Sequence, residues 1–211
     1  MPDSSTDKYD KLLADFHKLE TELKRTQRAL EIKEIELKAV LAQSHEMTNT
    51  DVLTLLPNRR KIIVDLQEEV IRSTRYSMPL SISIVDIDRF KDINDTYGHA
   101  TGDEVLRTIG TRLREQIRHP DTIGRYGGEE FLIVLPNSML KAAAEQANRL
   151  CQHVRSMRIE FEGRILAVTI SMGVAQLRIA EENWEQLLHR ADTAMYKAKN
   201  DGRNGWAVAE D

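Results

Sequence analysis

The apolar residues of the first fifty positions recur at alternating spacings of four and three, with no proline or glycine between residues 9 and 47. This period, sustained over more than five heptads, is typical of a coiled coil. We therefore predict that residues 1–50 form a long helix that pairs with a second copy of the chain in a parallel homodimer. A single amphipathic helix lying along its own domain is the alternative. The two seam positions are occupied by Tyr9, Phe16, Leu23, Leu30 and Leu37, and by Leu12, Leu19, Val40 and Met47.

The seam of this predicted coil is imperfect. Polar residues interrupt it at Thr26, Lys33 and Ser44. Apolar residues that lie off the seam, namely Ile32, Ile35 and Leu41, could support a second register. A switch between two registers is therefore a hypothesis for this segment.

The remaining chain, residues 51–211, alternates β-like and helical segments, and two of the β-like segments meet at Gly127–Gly128. Hairpins mixed with helices predict an α/β (α+β) domain whose central sheet is mixed and largely antiparallel, rather than a doubly wound parallel sheet. The predicted helices cover residues 57–76 (opened by Pro57 or Asn58), 89–94, 101–118, 138–157 and 184–200, and the predicted strands cover 80–87, 123–126, 132–135, 165–176 and 206–208.

The amino-acid composition restricts the kinds of protein that this chain could be. Of the 211 residues 41% are hydrophobic, which is enough for a core in the second segment, and the net charge of −4 argues against nucleic acid held by a basic surface. The single cysteine, Cys151, cannot form an internal disulfide, and we expect it to be a buried structural thiol. No signal peptide is visible and no apolar run approaches the length of a membrane span, so we expect a cytoplasmic protein.

Carboxylates gather at the ends of two predicted strands. Asp86 lies at the end of the strand 80–87 and Asp88 directly after it, and Glu129 and Glu130 lie on the Gly-Gly turn before the apolar run 131–135. An isolated Gly-Gly-Glu-Glu sequence is usually an exposed turn with charged flanks. Carboxylates from two strand ends favour a divalent-metal site instead, because hard oxygen ligands suit such ions and uncompensated carboxylates would repel one another.

Five segments together resemble one known family. They are residues 51–60 (DVLTLLPNRR), 86–99 (DIDRFKDINDTYGH), 102–103 (GD), 127–131 (GGEEF) and 194–204 (AMYKAKNDGRN). In this order and spacing they resemble the GGDEF domain of diguanylate cyclases, with glutamate as an accepted variant at the third motif position. The resemblance implies a fold related to nucleotidyl cyclase and polymerase palm domains. It also implies a nucleotidyltransferase that condenses two GTP into the signalling molecule cyclic di-GMP, each GTP bound to one half-site of a homodimer.

The resemblance assigns the catalytic and metal-binding roles residue by residue. Mg²⁺ or Mn²⁺, two ions per active site, would be held by Asp86, the Ile87 carbonyl, Glu129 and Glu130. Glu129 and Glu130 are the catalytic candidates, and Glu129 would assist deprotonation of the 3′-hydroxyl; a metal-bound water or hydroxide could do so instead.

The resemblance also assigns contacts to the nucleotides. The phosphates would be bound by the backbone around Phe90 and by Lys91, Lys199 and Arg203. Asn94 and Asp103 match the positions that read guanine, and His99 matches a position beside the nucleotide. Gly127 and Gly128 would leave room for its approach. An inhibitory site for the product would comprise Arg118 and Asp121, an R-x-x-D element, together with Arg149. Taken alone, Lys199 and Arg203 would be helix C-terminal cations and Arg118–Asp121 an exposed ion pair.

Three alternatives remain at this point. The chain could be an inactive module that only binds GTP or cyclic di-GMP, a cyclase with a different choice of base, or a coiled-coil scaffold with an incidental globular part. The intact motif favours catalysis, and Asp103 favours guanine. No sensor domain precedes the coil in this sequence, so we expect the input signal to come from a partner, or the chain to be a fragment of a larger protein.

Overall fold

The computed structural model describes residues 17–20, 22–28, 30–34 and 49–210. The chain separates into two compact units, Met1–Thr48 and Asn49–Asp211. In the first unit, the described residues between 17 and 34 are helical, and the seam residues Leu19, Leu23 and Leu30 are exposed in the single chain. The other predicted seam residues, together with Ser44 and the off-seam Ile35 and Leu41, lie outside the described residues. Among the described helices, none combines the length and the apolar character that crossing a membrane requires.

The second unit contains five helices and seven strands among residues 49–210. The helices are α1 (Arg59–Tyr76), α2 (Phe90–Tyr97), α3 (His99–Gln116), α4 (Leu140–Ser156) and α5 (Trp184–Asn200). The strands are β1 (Leu80–Ile87), β2 (Thr122–Arg125), β3 (Glu130–Pro136), β4 (Ile159–Phe161), β5 (Arg164–Leu166), β6 (Ile170–Gln176) and β7 (Gly205–Val208).

The main sheet has the order β2-β3-β1-β6-β7. In this sheet β2 pairs with β3, β3 with β1 and β1 with β6, all antiparallel, whereas β6 and β7 pair parallel. This confirms the predicted mixed, largely antiparallel sheet. Every residue of the central strand β1 is buried, because helices cover both faces of the sheet. The strands β4 and β5 form a separate two-stranded hairpin.

Alternation along β1 divides its side chains between two cores. Val85 and Ile87 face a core that includes Val105 and Ile109 of α3 and Leu150 of α4. Ile82 and Ile84 face a second core, which includes Ile62 and Leu66 of α1 together with Leu187 and Ala191 of α5. Cys151 is buried in α4 as expected, and burial raises the pKa of its thiol to about 12, so the thiol stays protonated.

The predicted strand over residues 165–176 is wrong in one respect. It is split into β5 and β6, and β5 turns back on β4 through Glu162 and Gly163, which both have positive φ. The break falls before Ile170, where the backbone carbonyl of Thr169 accepts a hydrogen bond from the N–H of Asp88. This hydrogen bond continues the pairing of β6 with β1 by one residue, whereas β5 pairs with β4. The run that the sequence presents as continuous is therefore divided because its two parts pair with different strands.

Two predicted helix boundaries also shift. The helix predicted over residues 89–94 continues to Tyr97, and the next helix begins at His99 rather than at Thr101, so Gly98 alone separates them. His99 therefore lies in the first turn of α3 and not in a loop. The tight junction is possible because Gly98 has a φ of 85°.

Candidate active site

The register between β1 and β3 brings the two carboxylate segments together. Asp86 is directly opposite Glu130 across the ladder, and the N–H of Ile87 donates to the carbonyl of Glu129 over 3.3 Å. The hairpin between β2 and β3 is closed by the N–H groups of Tyr126 and Gly127, which both donate to the carbonyl of Glu130. The residues predicted to hold a metal, Asp86, Ile87, Glu129 and Glu130, are therefore neighbours.

The two glycines of the hairpin serve different purposes. A side chain on Gly127 would collide with the carboxylate of Glu130, whereas a Cβ on Gly128 would meet nothing within 4 Å. Neither residue has a positive φ. Gly127 makes room for the Glu130 side chain, and Gly128 leaves the outer side of the hairpin open.

Two arginines brace this hairpin. Arg125 donates through Nη2 to the carbonyl of Gly128 at 2.7 Å and through Nη1 to the carboxylate of Asp51 at 3.2 Å. Arg59 lies over the ring of Tyr126, with its guanidinium carbon 4.8 Å from the ring centroid. The sequence assigns no role to Arg125, nor to Asp51 and Arg59 of the 51–60 segment, since only the folded structure brings them to this hairpin.

Asp51 anchors the segment that leads into the domain. Its Oδ1 accepts from the N–H and from the hydroxyl of Thr54, both at 2.8 Å. Burial raises the pKa of this carboxyl, but the Thr54 hydrogen bonds and the charge of Arg125 outweigh it, so that the pKa lies below its ordinary value. Asp51 therefore remains ionised near neutral pH and holds Arg125 against the hairpin.

The clustered carboxyls of Asp86, Glu129 and Glu130 all have pKa values above their ordinary values. Burial raises the pKa of each, and the charge of Asp86 raises the pKa of both glutamates further. The ammonium of Lys199, 2.7 Å from Oδ2 of Asp86, acts in the opposite direction on all three pKa values. This cluster therefore attracts positive charge.

A divalent cation suits this donor set chemically. The side chains offer hard carboxylate oxygens, and a bound cation would favour their charged forms against the burial and the mutual repulsion that raise their pKa values. Within residues 17–34 and 49–210 as described, no three acidic, histidine or cysteine side chains are already arranged as a metal-binding group. Lys199 supplies a positive charge to Asp86 instead.

Asp88 takes a different direction from Asp86. It is 7% exposed, and its carboxylate accepts from the hydroxyls of Thr169 and Ser171, each at 2.6 Å, and from the N–H of Asn204 at 2.9 Å. Three donors thus engage this carboxylate. Sequence analysis counted Asp88 in the acidic cluster, whereas the structure directs it towards β6 and the loop after α5.

The residues predicted to contact nucleotide lie on elements around β1. Phe90 is buried at the start of α2, beside Lys91, which is exposed. Asn94 lies against α3 so closely that a Cβ on Gly102 would collide with its side-chain oxygen. Asp103, the next residue, is exposed, as is His99 in the first turn of α3. The two predicted guanine-reading residues are therefore brought to one helix junction.

A cavity of about 180 Å³ contains the predicted inhibitory residues. Arg118 donates to Ser138 Oγ at 2.9 Å and lies 3.4 Å from Oδ1 of Asp121, whose other oxygen accepts from Gln146 Nε2 at 3.1 Å. The Asp121 side chain is 2% exposed while that of Arg118 is 61% exposed. Arg149 lines the same cavity. Ser138 and Gln146 were missed by sequence reasoning, because nothing in their local pattern connects them to residue 118 or 121.

Curated relatives are consistent with this arrangement. The chain is 39% identical over 169 residues to diguanylate cyclase DgcP of Pseudomonas aeruginosa, covering 80% of this chain and 25% of that protein. It is 43% identical over 166 residues to the response regulator PleD of Caulobacter vibrioides, covering 78% of this chain and 37% of that protein. The chain thus spans between a quarter and two fifths of the length of these relatives.

Solved structures share the fold. The coiled coil and GGDEF domain of DgcB from Caulobacter crescentus, in complex with cyclic di-GMP, matches 88% of this chain and 98% of that chain, with 30% identity and a TM-score of 0.80. The active GGEEF domain of a diguanylate cyclase from Vibrio cholerae matches 74% of this chain and 99% of that chain, with 35% identity and a TM-score of 0.69.

A family model described as "Diguanylate cyclase, GGDEF domain" matches residues 48–205, which is most of the chain. That match, the relatives above and the carboxylate-bearing hairpin beside Asp86 lead to one conclusion: this chain belongs to the diguanylate cyclase GGDEF domain family.

Proposed function

We propose that this protein condenses two GTP molecules into cyclic di-GMP and two pyrophosphates. The observation that carries the proposal is the β1–β3 register, which places Asp86 beside Glu129 and Glu130 on a hairpin whose outer side is open. In each half of the reaction, a 3′-oxygen forms a bond to the α-phosphorus of the other GTP, the bond to pyrophosphate breaks, and the proton of the 3′-hydroxyl is removed. For such a reaction a protein has to align the two GTP molecules and to compensate the negative charge of their phosphates.

The proposed division of labour follows the chemistry of each group. Asp86, the Ile87 carbonyl, Glu129 and Glu130 would hold Mg²⁺ or Mn²⁺, which neutralises charge on phosphate oxygens when it is bound. Glu129, with a raised pKa, is suited to accept the 3′-hydroxyl proton. Lys91, Lys199 and Arg203 would bind phosphates. An Asp103 carboxylate can accept from guanine N1–H and N2–H₂, and the Asn94 amide offers both a donor and an acceptor.

The test of this function is incubation of the full chain with GTP and Mg²⁺, followed by chromatographic and mass identification of the product. We expect cyclic di-GMP and pyrophosphate, and none when a chelator replaces the metal. Glu129→Gln should retain the fold but lose turnover by roughly a hundredfold or more, because it removes a proton acceptor and a charge while keeping the shape.

Glu160→Gln is the matched control, since Glu160 is an exposed carboxylate in the separate β4–β5 hairpin. It should leave turnover unchanged. Binding of GTP without any product by the wild-type chain would favour the inactive binding module. Near-normal turnover by Glu129→Gln would remove Glu129 from the catalytic role.

The proposed metal site has a second test that does not use activity. Burial and neighbouring charges raise the pKa of Glu130 in the folded protein. The free energy of unfolding therefore falls as the pH rises from the ordinary pKa of glutamate through the raised pKa of Glu130. We therefore expect Glu130→Gln to have a higher free energy of unfolding than the wild type near neutral pH in the presence of a chelator. Denaturant titrations at several pH values measure this.

The difference should disappear at a pH below the ordinary pKa of glutamate, where wild-type Glu130 is protonated in both states. Added Mg²⁺ should stabilise the wild type more than the variant, and Glu160→Gln should behave as the wild type throughout. If Glu130→Gln is less stable than the wild type at neutral pH in chelator, the claim that ionised Glu130 destabilises the folded protein is wrong.

We also propose that the cavity at Arg118 binds the product and inhibits the enzyme. An arginine can donate to O6 and N7 of guanine and an aspartate can accept from its N1–H and N2–H₂ edge. Arg118 is exposed and held near Asp121 in a cavity that also contains Arg149, so both recognition groups and a further cation are at hand.

Arg118→Ala should raise the apparent inhibition constant of cyclic di-GMP by roughly tenfold or more, since a hydrogen bond to a charged group contributes about 1.5–3 kcal/mol. Initial turnover without product should stay the same, because Arg118 lies outside the catalytic carboxylate cluster. Arg112→Ala is the control, as Arg112 is also exposed but pairs with Glu115 on α3. Equal inhibition of the wild type and Arg118→Ala would reduce Arg118–Asp121 to a surface ion pair.

A homodimer through residues 1–50 is the remaining proposal. Each domain presents one GTP, so two domains must face each other, and a parallel coil would raise their effective concentration. The exposed seam residues Leu19, Leu23 and Leu30 provide the apolar stripe that a second helix would cover.

Leu30→Glu in the full chain should therefore weaken dimerisation and make specific activity fall with dilution. Ile32→Glu is the matched control, because Ile32 is exposed on the same described helix but lies off the seam. Analytical ultracentrifugation and activity over a dilution series measure both effects. The same loss from both substitutions would argue against this register, and full activity of a dilute monomer would eliminate the requirement for a dimer.

A further inference from the structure

Asp88 is a buried carboxylate that the proposed mechanism does not use. It directly follows β1, two residues after Asp86, yet its oxygens point to other elements. Oδ1 accepts from Ser171 Oγ at 2.6 Å, and Oδ2 accepts from Thr169 Oγ1 at 2.6 Å and from the backbone N–H of Asn204 at 2.9 Å. The contact with Asn204 joins the end of β1 to a loop 116 residues further along the chain.

That loop has an unfavourable backbone. Gly202, Arg203 and Asn204 have φ values of 109°, 63° and 49°, so three consecutive residues adopt positive φ. Such a run costs free energy at residues that carry a side chain, and it persists only where other contacts hold it. Two hydrogen bonds do so here: the N–H of Arg203 donates to the carbonyl of Ala198 at 3.1 Å, and the N–H of Asn204 donates to Asp88.

Arg203 carries the charge that this loop presents. Its side chain lines a cavity of about 410 Å³ together with Arg89 and Asp88. Its charge also acts on Asp86, where it opposes the rise in pKa that burial causes. The cation that would bind phosphate is therefore placed near the catalytic carboxylates by the conformation of the 202–204 loop.

We propose that Asp88 is a positioning residue that fixes the 202–204 loop and thereby holds Arg203 in place for the triphosphate of GTP. This inference rests on the proposed function, in which Arg203 binds phosphate. Without Asp88, the N–H of Asn204 loses its acceptor and the loop relaxes from its left-handed conformation. The Arg203 guanidinium then loses its fixed position, while the guanine-reading residues on α2 and α3 are unaffected.

The hydrogen-bond pattern separates a positioning role from a charge or metal role. An asparagine at position 88 can place its carbonyl oxygen where Oδ2 accepts from Thr169 and Asn204, and its amide can donate to the hydroxyl of Ser171. Asp88→Asn thus removes the charge but keeps the hydrogen bond between residue 88 and the Asn204 N–H, which is called the clamp below. Asp88→Ala removes both, and Ser171→Ala removes one hydrogen bond to the same carboxylate without touching the loop.

The experiment measures equilibrium binding of a non-hydrolysable GTP analogue and of GMP to the full chain with Mg²⁺. Asp88→Ala should weaken binding of the triphosphate by about tenfold or more, which corresponds to about 1.4 kcal/mol of binding free energy. Its affinity for GMP should stay within twofold of the wild type. Asp88→Asn and Ser171→Ala should bind both ligands as the wild type does.

Equal loss for both ligands in Asp88→Ala, or no loss for either, would overturn the proposal. So would an Asp88→Asn variant as weak as Asp88→Ala, because that result assigns the effect to charge. If Asp88→Ala does not fold, Asp88→Ser replaces it, since its hydroxyl is too short to reach Asn204.

Hydrogen exchange of the Asn204 amide, measured by NMR without nucleotide, tests the clamp independently of the proposed function. Exchange should be at least tenfold faster in Asp88→Ala than in Asp88→Asn, and equal exchange would overturn the clamp. A wild-type chain that shows the protected amide but does not bind the GTP analogue would refute the proposed function and, with it, the assignment of Arg203 to phosphate.

Discussion

The pairing of β1 with β3 is the constraint on which the candidate active site depends. Asp86 is opposite Glu130, and a shift of one residue in this register would turn every side chain of the strand to the other face. Such a shift is opposed by both cores at once, because β1 is buried on both faces and its side chains alternate between two sets of helices. Apolar packing thus holds the carboxylates in place against their mutual repulsion.

Compensation of charge follows from that placement. Three carboxyls with raised pKa values lie together, and the cations that lower these pKa values come from α5, from the loop after it and from Arg59 of α1. Lys199 is carried by a helix whose apolar face packs in the second core, so its position near Asp86 is fixed by packing as well as by attraction. In the proposed function, the carboxylates would bind the metal ion, and the neighbouring Lys199 and Arg203 would bind the phosphates.

The segment that enters the domain is tied to the β2–β3 hairpin. Asp51 accepts a hydrogen bond from Arg125, and Arg125 also donates to the carbonyl of Gly128. The Arg125 side chain thus links the entry segment to the turn that carries Glu129. The bridge between Thr50 and Pro57 and the hydrogen bonds to Thr54 give this entry segment a defined shape.

Much of this organisation is predictable from local sequence. The period of 3.5 residues before position 48, the alternation of helical and β-like segments after it, and the acidic residues at strand ends all reflect rules that act within about twenty residues. The resemblance to a family added named roles for Asp86, Glu129 and their neighbours. The central sheet and the neighbouring positions of Asp86, Glu129 and Glu130 agree with those expectations.

The sequence by itself therefore determined the kinds of element, the polar turn and the residue types available for chemistry, because these depend on local periodicity and on side-chain identity. Tertiary structure alone decided which distant groups meet: Asp51 with Arg125, Lys199 with Asp86, and Asp88 with Asn204. It also decided that Asp86 lies opposite Glu130 of the β2–β3 hairpin while Asp88 is engaged by Thr169 and Ser171, although only one residue separates them. The physical reason is that these contacts are set by strand order and register, which arise from the packing of two cores and leave no mark on the local sequence pattern.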